Sequence, residues 1–142
     1  MQRRTLLALA GGLLVVAGCG GTTSTLLQLG APTGVGPVDF QVENRTDAIV
    51  NNLYLAKTER VKAAPRRAFE SATPEQAALW GDDLLRSGLE PGGKLGIAVD
   101  EPGSYDARLV DRDGNEQHVA GLRLQAGGRY VLEVHDNWRR PL

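Results

Sequence analysis

Apolar and polar side chains alternate through much of this chain. In VDFQVEN, Val38, Phe40 and Val42 are separated by Asp39, Gln41 and Glu43, and a period of two puts one set on each face of a half-buried strand. The alternation returns with Leu95, Ile97 and Val99 in KLGIAVD, with Tyr105, Ala107 and Leu109 in SYDARLVD, and with Tyr130, Leu132 and Val134 in RYVLEVHD. AIVNNLYLAK, entered from the turn residues Asn44-Arg45-Thr46-Asp47, and NEQHVAGLRLQ read as two further strands. Asp113-Gly114 supplies the positive dihedrals of a tight hairpin turn, and Gly127-Gly128 turns the chain again. About six to eight short strands with polar turns predict an all-β fold, an antiparallel β-sandwich of the immunoglobulin-like or transthyretin-like kind. Phe40, Tyr54, Trp80, Tyr105 and Tyr130 are expected to pack in its core or at its rim.

One stretch breaks the rhythm. From Thr58 to Ala78 β-branched residues are few and alanines many. Thr73-Pro74-Glu75-Gln76 fits a capping box with proline at the first helical position, which predicts a short helix from Pro74 to about Leu79. The segment 57–79 therefore reads as an inserted loop with one short helix, and it is basic. Lys57, Arg60, Lys62, Arg66 and Arg67 stand against the single acid Glu59 within eleven residues. These five bases are a candidate interaction surface for lipid phosphates, cell-wall carboxylates or an acidic envelope protein. Phe69 is placed to dock the loop or to touch a membrane.

The amino end carries a different signal. Arg3 and Arg4 precede an apolar run from Leu6 to Ala17, and small residues follow, the layout of a secretory signal. That run is about a dozen residues, where a helix spanning a bilayer needs about 20. Val16-Ala17-Gly18-Cys19 resembles the bacterial lipobox: an aliphatic residue, two small ones, then cysteine. The resemblance implies a diacylglyceryl group on the Cys19 thiol, cleavage before Cys19 and acylation of the freed amine. Two or three chains make such anchoring stable where one is marginal. Gly20 in place of aspartate implies, by the same resemblance, passage to the periplasmic side of the outer membrane. Gln2-Arg3-Arg4-Thr5-Leu6-Leu7 also resembles a loose twin-arginine signal, so the export route stays open. Residues 1–18 are then the signal, 19–37 an acylated cysteine with a Gly- and Thr-rich tether, and 38–142 the domain.

Composition narrows the picture further. Losing 18 of 142 residues leaves 124, enough for one domain. Arg3 and Arg4 go with the signal, so fourteen bases face seventeen acids, a balance that argues against nucleic acid as partner. Cys19 is the single cysteine, so no intrachain disulfide is available and stability rests on the core.

Leu53-Tyr54-Leu55, Trp80-Gly81-Asp82-Asp83-Leu84-Leu85, Leu89-Glu90-Pro91-Gly92 and the run Tyr105 to Gly114, read together, resemble an uncharacterised β-sandwich module of exported proteobacterial proteins. Its pattern is a tyrosine-bearing strand, a WG-x-[ND]-x-L segment, a Pro-Gly turn and a yD-x-r-x-x-d-x-dG hairpin. The resemblance spans roughly Val38 to Val134 and implies a fold, with no assigned activity. The stretch Lys57 to Leu79 is longer here than in that pattern, and Trp80 is expected to anchor its return to the core.

Other motifs point to structure more than to chemistry. Asp111, Asp113 and Asn115 alternate as in a calcium loop, but Glu116 and Leu122 stand where that loop needs glycine and glutamate, so a hairpin turn is expected. His118 and His135 are the two histidines, too few for a structural zinc site with the cysteine acylated. No serine lies in a nucleophile elbow, and Asp82-Asp83 read as solvated acids. The expected function is a non-catalytic binding or assembly module held at the envelope by acyl chains, without cofactor or metal. The alternative is a small-molecule or metal-binding domain in which Tyr54, Trp80 and Tyr105 line a pocket between the sheets.

Overall fold

The computed structural model describes residues 23–141; the signal and Cys19 lie outside them. The described chain is mostly β. Its strands are β1 (Thr25–Gln28), β2 (Val38–Asn44), β3 (Val50–Lys57), β4 (Lys94–Val99), β5 (Gly103–Asp111), β6 (Glu116–Leu124) and β7 (Arg129–Val134). Helices α1 (Thr58–Ala63) and α2 (Pro74–Trp80), with a 3₁₀ turn at Arg66–Phe69 between them, sit between β3 and β4. The strands form two sheets, β1-β7-β2-β4 and β3-β5-β6, as expected of an all-β fold with seven short strands.

The alternation read in the sequence is the burial pattern of the strands. In β2, Val38, Phe40, Val42 and Asn44 are buried while Asp39 and Gln41 face out. In β7, Tyr130, Leu132 and Val134 are buried. These side chains meet Leu53, Leu109, Leu122 and Leu124 of the other sheet in one closed core. Burying an aliphatic or aromatic side chain contributes about 1.5–3 kcal/mol, so this layer is the main source of cohesion.

Two expectations are corrected. The sheets are not wholly antiparallel, because β2 and β7 run parallel, Phe40 opposite Tyr130 and Val42 opposite Leu132. The tether expected over 19–37 is, from residue 24 onward, part of the domain. Thr25–Gln28 pairs antiparallel with β7, and Gly34 N–H donates to Ala126 O at 3.0 Å. At Gly127, φ is +67°, and a Cβ there would lie 1.8 Å from Thr33 Oγ1 and 2.4 Å from Val35 O. Only glycine lets the β6–β7 turn take the N-terminal segment at that distance. Composition suggested a tether because glycine and threonine mark flexibility, but they also permit close packing.

Asn44 closes the corner between the sheets. It is fully buried, and its Nδ2 donates to Ala48 O at 2.8 Å and to Leu89 O at 2.9 Å. Its Oδ1 accepts from Thr46 N at 2.9 Å and Thr46 Oγ1 at 2.7 Å, which fills the capacity of a side-chain amide.

Asn44→Ala leaves the Thr46 N–H without a partner and takes the Nδ2 donor from the Ala48 and Leu89 carbonyls, so it should lower the unfolding free energy by about 2 kcal/mol. Urea denaturation measures it, and a loss below about 0.5 kcal/mol would refute the role given to this corner.

Candidate functional site

The inserted segment is no loop: it folds as two helices and a 3₁₀ turn on the outer face of the three-stranded sheet. Thr73 caps α2, its Oγ1 accepting from Gln76 N at 3.1 Å. Gln76 Oε1 reaches back to Ala72 N at 3.2 Å, a capping box extended by one residue. Val61, Ala68, Leu79 and Trp80 build a second small core with Ala56 of β3, and Tyr54 and Phe69 pack against it. Trp80 does anchor the return of the segment, and Gly81, at φ +70°, ends α2 in a conformation that favours glycine.

The rest of the WG segment has a structural purpose. Asp83 is not a solvated acid: its Oδ1 accepts from Leu53 N and Leu85 N, each at 3.0 Å, and its Oδ2 from Asn52 Nδ2 at 2.8 Å. A side chain thus takes a donor that a neighbouring strand would otherwise take from β3, and Leu85 enters the main core. Asp111 acts likewise in the hairpin, accepting from Asp113 N at 2.9 Å and Asn115 N at 2.8 Å.

Beneath the helices, the outward side chains of the sheet form a polar cluster. Asp106 of β5 is 3% exposed. Its Oδ1 accepts from Thr58 Oγ1 at 2.7 Å and from Gly121 N at 3.1 Å, and its Oδ2 lies 2.7 Å from His118 Nε2. Gly121 is available because β6 carries a bulge, two steps on β5 from Tyr105 to Ala107 matching three on β6 from Leu122 to Val119. Its φ of +69° aims the N–H inward. Burial alone pushes the Asp106 carboxyl up, but donation from Gly121, Thr58 and His118 outweighs it and holds the group below the usual carboxylate range. An ionised carboxylate accepts only, so Nε2 of His118 carries its proton and Nδ1 is the nitrogen left over. The imidazole meets the Trp80 indole edge to face, centroids 5.5 Å apart.

His118, Trp80, Phe69, Gln76 and Arg108 line a cleft of about 230 Å³. A second cavity of about 430 Å³ shares Gln76, Trp80 and Arg108 and extends past Tyr54. Arg108 lies over the Tyr54 ring, 5.0 Å from its centre, and pairs with Glu116. Arg139 and Arg140 complete the cleft, placed there by a two-way backbone bridge between Arg139 and Glu116, 2.7 and 2.8 Å.

The structure separates the five bases of the insertion. Lys57 pairs with Glu101 at 3.3 Å and lies 4.9 Å from the Tyr105 ring centre. Arg60 donates to Ala78 O at 2.9 Å, and Arg67 meets Glu75 at 3.5 Å. Lys62 and Arg66 are exposed. His135 lies beside Glu133, 3.2 Å away, so the two histidines belong to different pairs. Tyr54 and Trp80 line a cavity together, but on the outer face of one sheet and without Tyr105, not between the sheets as expected of the three. Ser104 and Thr58 hydroxyls, 3.0 Å apart, lie behind the Asp106 carboxylate. That order, hydroxyl to carboxylate to imidazole, differs from the hydroxyl to imidazole to carboxylate order of a nucleophilic triad.

The sequence reading passed over Asp106, Arg108, Arg139 and Arg140 as site residues. The signal for the first two was present: in SYDARLVD they share the face opposite Ala107 and Leu109, two charges of opposite sign on one outward strand face. The class defined here is a β-rich module with a cleft between one sheet and a helical cover. No family model, curated protein or solved structure matches this chain.

With its folded value depressed below 3.8, Asp106 adds stability that is complete above the unfolded value and is lost as pH falls through the folded one. Asp106→Asn should therefore melt well below the parent at pH 7, with the gap closing as pH drops below about 4. A gap unchanged down to pH 2.5 would show that the carboxylate charge is not what holds the cluster.

Proposed function

We propose that this protein is a non-catalytic binding module of the bacterial cell envelope, held by acyl chains on Cys19 and binding a small ligand in the cleft beside α2 and the 3₁₀ turn. The observation that carries the reading is the position of the free space. The side chains between the sheets are all buried, while the outer cleft is concave, partly apolar and lined by convergent polar groups, the general character of a ligand site. Trp80 and Phe69 supply its apolar wall and Gln76, Gln117 and His118 its polar one.

The parallel β2–β7 contact departs from the antiparallel sheets of an immunoglobulin domain and favours the transthyretin-like alternative. Placement in the envelope rests on the lipobox resemblance of Val16 to Cys19, and the outer membrane on Gly20. With β1 beginning at Thr25, six chain steps separate it from Cys19 and reach about 20 Å at most. The domain then rides close to its leaflet, where a 19-residue tether would have let it roam. The exposed bases Lys62 and Arg66 are free to meet lipid or cell-wall anions at that distance.

Two measurements test the parts separately. Mass spectrometry of the native protein should find Cys19 acylated, and Cys19→Ser should move it to the soluble fraction; membrane association that survives the substitution refutes the anchor. Titrating single-ring fragments of mixed charge into the full chain in detergent should shift amide resonances clustered at Phe69, Gln76, Gln117 and His118. Shifts confined to the β1-β7-β2-β4 sheet would refute the cleft.

A further inference from the structure

Two buried N–H groups at this cleft have nothing to donate to. The indole Nε1 of Trp80, a residue 4% exposed, and Nε of Arg108, whose side chain is 14% exposed, lack a hydrogen-bond partner. Both residues line both cavities. Buried polar groups are nearly always satisfied, and indole and guanidinium nitrogens donate without accepting, so the wall of this cleft is rich in donors and short of acceptors. The charge around them agrees. Arg108, Arg139 and Arg140 line the cleft against one carboxylate, Glu116, which is already paired with Arg108. Among the described salt bridges none involves Arg139 or Arg140. The other nearby acid, Asp106, is spent on Thr58, Gly121 and His118.

Resting on the cleft as the ligand site, we propose that its ligand carries an oxyanion, a carboxylate or a phosphate, on a small apolar body. The oxyanion accepts from the guanidinium groups at the mouth, bonds that charge strengthens. The apolar body lies against Phe69 and Trp80. Size follows from the volume, since about 230 Å³ falls below the range of about 300–1,000 Å³ usual for drug-sized ligands.

The test uses benzoate, phenyl phosphate and the neutral benzyl alcohol, titrated into the full chain in detergent. The readout is the Trp80 indole N–H resonance, identified with Trp138→Phe. Benzoate, phenyl phosphate or both should move that resonance and bind about tenfold or more tightly than benzyl alcohol, and which anion binds better tells carboxylate from phosphate. Arg139→Gln with Arg140→Gln should weaken the anions about tenfold and leave the alcohol unchanged. Arg129→Gln, at a surface pair with Asp39 far along β7, should change neither. Equal binding of alcohol and anions, or full anion affinity in the double variant, overturns the oxyanion assignment while leaving the cleft as a site. No response to any of the three probes overturns both.

Discussion

A buried carboxylate cannot stay charged without donors, and Asp106 has three, from α1 and β6. Thr58 opens α1, Gly121 sits in the β6 bulge, and His118 lies three residues before it on the same strand. Each would be placed otherwise if the carboxylate were absent: α1 is not capped by a side chain, and the bulge interrupts a ladder that would be regular without it. The desolvation cost of one charge thereby fixes where the helical cover meets the sheet. It also orients the imidazole, which in turn supports the Trp80 ring.

The molecule divides its apolar material between two cores with different tasks. The inter-sheet core contains the larger side chains, is closed and holds the sheets together. The smaller core under the helices is built around alanines and Trp80, and small residues let the helices approach the sheet closely on one side while the cleft stays open on the other. A cover attached by a small core and one polar joint is looser by construction than the sandwich beneath it. This is the part of the molecule best suited to adjust around a ligand.

Charge is spent in a similar division. Bases that looked like one surface in the sequence are drawn to Glu101, to the end of α2 and to Glu75. Exposed pairs of this kind contribute little stability, commonly below about 1 kcal/mol, so they position side chains more than they hold the fold. The uncommitted guanidinium groups that face a cavity come instead from the last residues of the described chain, brought over by a backbone bridge to β6.

The sequence by itself determined β2 to β7, the capped helix, the tight turns and much of the core, because each depends on neighbours two to four positions apart. Val38, Phe40 and Val42 announce a strand face, and Thr73 to Gln76 announce a helix start, wherever the rest of the chain goes. Tertiary structure decided the parallel pairing of β2 with β7, the docking of 24–37 and the meeting of Asp106 with Thr58 and His118. These join residues separated by tens of positions, and local pattern carries no record of them. The same holds for the cleft. Trp80, Arg108, His118 and Arg140 are unremarkable in order along the chain, and only the packing of the insertion against the outer sheet face, with the bridge from Arg139 to Glu116, makes them one site.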